Sequence, residues 1–201
     1  MPDKPLSPNI PLSNVAIIIP IAPNETAHKA LLKDLENTNV EIILSSEGSR
    51  AESLNIGAQK ATREILCFLH ADTRIDKIAI NALENANNPD VINYFNLSYD
   101  GGLAQLNAIG ANLRSSIFGL PYGDQGFTLT KALFNKIGGF PENYTFGEDL
   151  LFIRKAKQKD VHLNRLPAKL ITSPRQYEKT GWLKLTLIRQ YQLFKLIRIK
   201  L

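Results

Sequence analysis

An acidic residue follows directly after an apolar stretch in the first half of the chain. Residues 64–69 read EILCFL, and His70, Asp72 and Thr73 come next. An aspartate at the carboxyl end of a strand can bind Mg²⁺ or Mn²⁺, which prefer oxygen ligands and usually bridge to phosphate. Alternatively, Asp72 or Thr73 caps the helix that follows, and His70 has a structural role. The spacing alone favours neither interpretation.

A second acidic group, the pair Glu148 and Asp149, follows Gly147 at the predicted start of a helix. A carboxylate here could accept a proton from a hydroxyl group as a general base. Acidic residues also stabilise the first turn of any helix through its dipole, so the pattern taken alone favours a purely structural role. Two glycine-bearing turns, residues 122–126 and 138–141, either hold backbone close to a ligand or simply turn tightly.

The elements that must position these residues alternate between strand and helix. Apolar, β-branched runs predict four buried strands, at residues 15–19, 40–44, 64–69 and 91–97. Helical patterns lie between them, so the sequence predicts an α/β fold with a mostly parallel sheet and flanking helices. Ligands bind such sheets at the carboxyl ends of the strands, and the polar residues after each strand are therefore the candidate site.

Composition restricts the class of protein. The chain has 201 residues, 44% of them apolar, and its single cysteine excludes an internal disulfide. The net charge of +5 is local, because residues 182–201 carry five basic residues and no acidic one, and the other nineteen basic residues balance nineteen acidic ones. A neutral body argues against a nucleic-acid-binding domain. No secretory signal is visible, and we expect a cytoplasmic protein.

Three segments are expected along the chain. Residues 1–13, with four prolines, are predicted to be a disordered arm, residues 14–181 a folded domain, and residues 182–201 a basic amphipathic helix. Such a helix could lie on the inner face of a membrane as a peripheral contact and bring the protein to a lipid-linked acceptor. It could equally pack on the domain or on a second subunit of a homodimer.

Taken together, the motifs resemble the family 2 glycosyltransferases, and within them a small bacterial branch with the sequence FLHADT. The resemblance extends from about residue 15 to residue 182, and each motif is weak alone while the ordered set is specific. The matching segments are residues 17–20, 24–25, 53–58, 68–73, 122–126, 138–142 and 148–149.

The resemblance implies a GT-A-like (Rossmann-like) fold and the inverting transfer of a sugar from a nucleotide-diphosphate donor to an unknown acceptor. It further implies a divalent cation, Mn²⁺ or Mg²⁺, on Asp72, with His70 in place of the family's other acid. Asp149, beside Glu148, would be the catalytic base. The residues expected at the nucleotide-sugar are Pro20, Asn24, Glu25, Ser46, Glu47, Arg50, Asn55 and Arg175, and those expected on the acceptor or sugar side are Gly123, Asp124 and Gln125.

The chain departs from the family pattern at the second strand. Ser46 stands where the family has an aspartate that holds the nucleotide base, and a serine cannot reproduce a charged, bidentate contact. One βα unit that normally precedes Arg50 is expected to be absent. A catalytically impaired binding or membrane-associated protein is therefore the alternative. A nucleotidyltransferase ranks last, because no glycine-rich basic loop follows the first strand.

Overall fold

The computed structural model describes residues 12–144 and 146–199, which form one seven-stranded sheet with helices on both sides. The strands are β1 (Val15–Pro20), β2 (Glu41–Ser45), β3 (Ile65–Phe68), β4 (Thr73–Arg74), β5 (Val91–Tyr99), β6 (Phe127–Thr130) and β7 (His162–Thr172). The helices are α1 (His28–Leu35), α2 (Arg50–Lys60), α3 (Lys77–Glu84), α4 (Ala104–Phe118), α5 (Lys131–Ile137), α6 (Glu148–Gln158), α7 (Arg175–Thr180) and α8 (Trp182–Ile197).

The sheet has the strand order β2-β1-β3-β6-β5-β7-β4. β1 pairs in parallel with β2 and β3, and β5 pairs in parallel with β7. β6 lies antiparallel between β3 and β5, and β4 lies antiparallel beside β7. Five strands therefore run in one direction, which confirms the predicted α/β class, while β6 and β4 enter the sheet from the opposite end.

β2 is the outer strand of the described sheet, and only residues 46–49 separate it from α2. This direct connection agrees with the expected absence of one βα unit before Arg50.

The core lies on both faces of the sheet because successive residues of a strand point to opposite sides. Ala16 and Ile18 of β1 pack with α2, α5 and α6, whereas Ile17 and Ile19 pack with α1 and α3. Cys67 of β3 is completely buried on the second side, and burial raises the pKa of its thiol to about 12.

The predicted C-terminal helix is present as α8, while residues 200–201 of the predicted segment lie outside the described residues. Trp182 and Leu185 pack beside α4 and α7, and Leu196 packs on the start of α6. No helix within the described ranges is long and apolar enough to span a bilayer. Of the predicted disordered arm, residues 1–11 lie outside the described residues, and Leu12 is buried in the core.

Candidate functional site

The topology brings the residues that could do chemistry to one edge of the sheet. The carboxyl ends of β1, β2 and β3 lie side by side, with Pro20 paired to Ser45 and Ile18 paired to Phe68. The segments that follow these strands form a cleft of about 420 Å³, called here the Arg50 cleft. The residues proposed from the sequence that line it are Pro20, Glu25, Ser46, Arg50, His70, Asp72 and Arg175.

Arg50 is the first residue of α2, and a capping box fixes its position. Ser49 Oγ accepts the N–H of Glu52 at 3.2 Å, and the carboxylate of Glu52 accepts the N–H of Ser49. From this anchored turn the guanidinium of Arg50 donates to Nε2 of His70 and pairs with Glu148, with 3.1 Å between Nε and Oε1. The Glu148 side chain is only 8% exposed, so this ion pair holds Arg50 at the wall of the cleft.

His70, which the sequence predicts as a metal ligand, is a hydrogen-bond partner of Arg50 in this structure. Burial, followed by the charges of Arg50 and Arg189, holds the pKa of His70 well below its usual range, so its imidazole is neutral. A neutral imidazole that accepts a hydrogen bond at Nε2 carries its proton on Nδ1. In this arrangement Nε2 is occupied by Arg50, so a metal ion on His70 would have to displace that hydrogen bond.

A second guanidinium and two carboxylates complete the Arg50 cleft. Nη2 of Arg175 lies 3.4 Å from Oε2 of Glu25. The backbone N–H of Ala27 lowers the pKa of Glu25, and Arg175 lowers it further. Burial raises the pKa of Asp72. Asp72 does not cap the next helix, because Asp76 Oδ1 accepts the N–H of Ala79 at the start of α3.

The side chains of the Arg50 cleft offer few ligands to a metal ion. Within residues 12–144 and 146–199, no three His, Cys, Asp or Glu side chains come together as a metal site. A Mg²⁺ or Mn²⁺ ion on Asp72 would take its other ligands from phosphate and water, which is the usual arrangement for Mg²⁺ at a nucleotide. Asp72 fits such an ion, and the guanidinium groups of Arg50 and Arg175 supply further positive charge for a phosphate.

A second cavity, of about 170 Å³, lies at the start of α6 and is called here the Asp149 pocket. The two carboxylate oxygens of Asp149 each accept a backbone N–H at 2.7 Å, from Gly123 and from Leu150. A Cβ at position 123 would lie 3.0 Å from Oδ2 of Asp149 and 3.2 Å from Nε2 of His70, so glycine permits this contact. The carboxylate keeps lone pairs free for a hydroxyl proton.

Asp124 lines the same pocket and lacks a partner for one oxygen. Its Oδ1 is buried and makes no hydrogen bond to any described residue. Burial, and then the charge of Asp149, raise the pKa of Asp124 to about 6. Buried acceptors without a donor are rare in folded proteins, so this oxygen is a candidate for a ligand hydroxyl.

The two cavities adjoin at His70, which lines both of them. Asp72 and Asp149 therefore lie in neighbouring cavities at the same edge of the sheet. A diphosphate held by cationic groups on one side could face a carboxylate base on the other.

Several residues proposed from the sequence lie elsewhere. Asn24 is exposed in a turn with φ 62° and lines neither cavity. Glu47 turns away to Lys60 and Ser45, whose ammonium and hydroxyl lower its pKa to about 2. Glu148 lines neither cavity and instead anchors Arg50.

Two more side chains proposed as ligand contacts support turns of the backbone. Nδ2 of Asn55 donates to Phe140 O, and Oδ1 of Asn55 accepts the N–H of Phe140, both at 2.9 Å. Gln125 is completely buried, accepts from Ser115 at 2.7 Å and donates to Phe95 O at 3.1 Å. Both side chains therefore hold neighbouring segments in place and line neither the Arg50 cleft nor the Asp149 pocket.

Arg189 lies at the candidate site, although it was not among the site residues proposed from the sequence. Its guanidinium donates to Tyr177 at 2.7 Å and Gln176 at 2.8 Å, and it lines the Asp149 pocket. Its spacing could have indicated that Arg189 faces the domain, because position 189 shares a helical face with the inward-facing Leu185 and Leu193.

Comparisons with known proteins place this geometry on a known fold. No protein-family model matches the sequence, and no curated protein matches it. Among solved structures, S. aureus TarS 1-349 superposes with a TM-score of 0.57 at 17% identity, over 83% of this chain and 62% of that one. The mannosyltransferase PcManGT from Pyrobaculum calidifontis, in complex with GDP-Man and Mn²⁺, gives 0.56 at 17% identity, over 84% of this chain and 60% of that one. This chain thus spans about 60% of the length of the TarS 1-349 chain and of PcManGT, and it shares with them a mixed α/β fold.

Proposed function

We propose that this chain transfers a sugar from a nucleotide-diphosphate donor to an acceptor hydroxyl, with inversion at the anomeric carbon. The observation that carries the proposal is the junction at His70 between a cleft lined by two guanidinium groups and a pocket that holds an aspartate carboxylate. The PcManGT structure supports it, because that mannosyltransferase binds GDP-Man and Mn²⁺ on the same fold.

In this proposal the Arg50 cleft receives the donor. The guanidinium groups of Arg50 and Arg175 bind the diphosphate, and the first turn of α2 adds the positive end of its dipole. Asp72 would hold a divalent cation, which would neutralise charge on the leaving diphosphate. Ser46 lies at the wall of this cleft and would face the nucleotide.

The Asp149 pocket would receive the acceptor. Asp149 takes the proton of the acceptor hydroxyl. The oxygen of that hydroxyl forms a bond to the anomeric carbon, while the bond from this carbon to the diphosphate breaks. The attack comes from the side opposite the leaving group, which inverts the anomeric centre. Asp124 Oδ1 is available to accept a second hydroxyl of the sugar or acceptor.

Replacing Asp149 with asparagine tests the role of the base. The amide side chain can still accept the N–H of Gly123 but cannot remove a proton, so D149N is expected to keep donor affinity and lose about 10²–10⁴-fold in transfer rate. Donor binding is measured by calorimetry with GDP- and UDP-sugars and Mn²⁺, and transfer by release of the nucleoside diphosphate. Asp90→Asn, at an exposed carboxylate, is the matched control.

Two results would count against the proposal. If no nucleotide sugar binds with or without Mn²⁺, the chain is a non-catalytic protein of the same fold. If D149N transfers sugar at the unaltered rate, the base lies elsewhere.

A further inference from the structure

The outer side of α4 carries a row of exposed apolar side chains. Its opposite side, with Ala104, Ala108 and Ala111, is buried against the domain. From Leu103 to Ile117 the outward residues recur every three or four positions, as a helical face requires, and Phe118 follows at the end of the helix. They are 55–62% exposed and comprise Leu103, Leu106, Ile109, Leu113, Ile117 and Phe118.

The outer side of α8 has the same character. Leu185, Leu193 and Leu196 face inward and pack on the domain, so α8 is already docked by one side. Its other side remains apolar and 40–70% exposed, with Leu183, Leu187, Ile188, Tyr191, Phe194 and Ile197.

These two rows lie on neighbouring helices, with polar side chains such as Arg114 and Gln190 in the groove between them. Nδ2 of Asn107 donates to Oγ1 of Thr186 at 2.8 Å, and the two helices form opposite walls of a groove of about 280 Å³. We call the twelve outward residues of these helices the α4–α8 face. Only three further large apolar side chains are strongly exposed in the described chain, Ile42, Leu44 and Ile78. An apolar surface this concentrated marks an interface.

The charges around the α4–α8 face indicate what covers it. Residues 103–118 and 182–199 contain no Asp or Glu, while Lys184, Lys195 and Arg198 are exposed along α8. Asp100 and Glu178 line a cavity with Leu103 at one end of the face, whereas the charged side chains along α8 itself are all cationic. An apolar face with cations along it complements an anionic lipid surface. A second copy docked by the same face would instead bring like charges together, because a two-fold interface opposes each patch to itself.

We propose that the α4–α8 face docks on the surface of an anionic lipid bilayer. The apolar side chains enter the boundary between head groups and acyl chains, and the basic side chains lie at the lipid phosphates. The exposed ring of Tyr191 suits the same interfacial depth. This inference is independent of sugar transfer, and its test needs neither donor nor acceptor.

Flotation of the full chain with vesicles tests the proposal. Binding is expected to phosphatidylcholine vesicles that contain phosphatidylglycerol, with much weaker binding to phosphatidylcholine alone and a decrease as salt rises. Leu113→Glu on α4 and Leu187→Glu on α8 should each lower the partition coefficient about ten-fold. Ile78→Glu, at a similarly exposed residue of α3, should leave it unchanged.

The variants change exposed side chains, and circular dichroism melting is expected to confirm that each remains folded. Absence of binding to the anionic vesicles overturns the proposal, as does equal loss of binding in Ile78→Glu and Leu113→Glu. Sedimentation supplies the other decisive result. A dimer that dissociates in Leu113→Glu, without any vesicle binding by the original chain, would assign the face to a second copy.

Discussion

At the scale of single residues, Asp124 is the most perturbed carboxylate of the Asp149 pocket, with a pKa raised to about 6 from 3.8. A raised pKa in the folded state means that its contribution to stability is fully present below pH 3.8 and is lost as pH rises through about 6. The ionised carboxylate therefore destabilises the native protein at neutral pH.

Asp124→Asn removes that buried charge and is expected to stabilise the fold at pH 8 by about 1–3 kcal/mol. The gain should shrink towards pH 4, where Asp124 is protonated in the native state. Urea unfolding at both pH values measures it, with the exposed Asp90→Asn as the control. A gain that does not vary with pH would contradict the raised pKa.

Replacing Asn55 distinguishes a structural role of this side chain from the ligand contact that the sequence predicts. Asn55→Ala leaves the N–H and C=O of Phe140 without their partners and should lower the free energy of unfolding by about 1–3 kcal/mol. Donor affinity should remain unchanged, because Asn55 does not line the Arg50 cleft. Gln59→Ala, at an exposed position one turn later in α2, is the control for both measurements. A large loss of donor affinity at constant stability would restore the sequence-based role.

The site residues proposed from the sequence differ in the range of the interactions that position them. Asp72 and Ser46 line the Arg50 cleft, because each follows shortly after a strand whose carboxyl end lies at this edge of the sheet. Asn55 and His70 were assigned ligand contacts, but their partners Phe140 and Arg50 are distant in the chain. No spacing rule reveals such pairs before the fold is known.

At the scale of elements, the junction between α6 and α8 connects the tail helix to the Asp149 pocket. Gly147 precedes α6 with φ 80°, and a Cβ there would lie 2.3 Å from Cδ1 of Leu196. Arg154 of α6 also donates to the backbone O of Leu196 at 2.6 Å. The end of α8 therefore packs closely against the turn at the start of α6.

Gly147→Ala should displace α8 from this turn and strain the backbone. We expect a loss of about 1–3 kcal/mol in the free energy of unfolding. Sugar transfer should also become slower, because Asp149 lies in the first turn of α6, directly after Gly147 and Glu148. Gly110→Ala is the matched control, since a Cβ at that helical glycine meets nothing within 4 Å and should stabilise α4 by up to about 1 kcal/mol. An unaltered Gly147→Ala protein would show that the contact with Leu196 relaxes freely.

The same junction determines how the tail can be studied. Truncation after Gly181 removes Leu196 and also Arg189, which lines the Asp149 pocket. Loss of activity in such a protein would therefore not distinguish a membrane role from damage to the site. Single changes on the outer side of α8 avoid this ambiguity.

At the scale of the whole molecule, the alternation of strands and helices was sufficient to predict the α/β class and the sheet edge at which the candidate cavities lie. The insertion of β6 between β3 and β5 was not predictable, because an antiparallel strand pairs with residues far away in the chain. The start of β7 was also not predictable, since residues 162–165 are mostly polar and only later positions alternate. The α4–α8 face needed the structure, because adjacency of the two helices is a tertiary property.

Cys67 lies in β3 at the centre of this sheet, and its thiol is the only one in the chain. A disulfide reagent such as Ellman's can react with it only after the molecule opens, because both burial and the high pKa suppress the thiolate. The rate of thiol modification, followed by the colour change, would thus report the opening of the fold without any added label. A nucleotide sugar that binds only the closed form should slow it by the factor 1 + [L]/Kd, which reads out donor affinity before any acceptor is known. Rapid modification of the native protein would show instead that β3 is accessible to solvent.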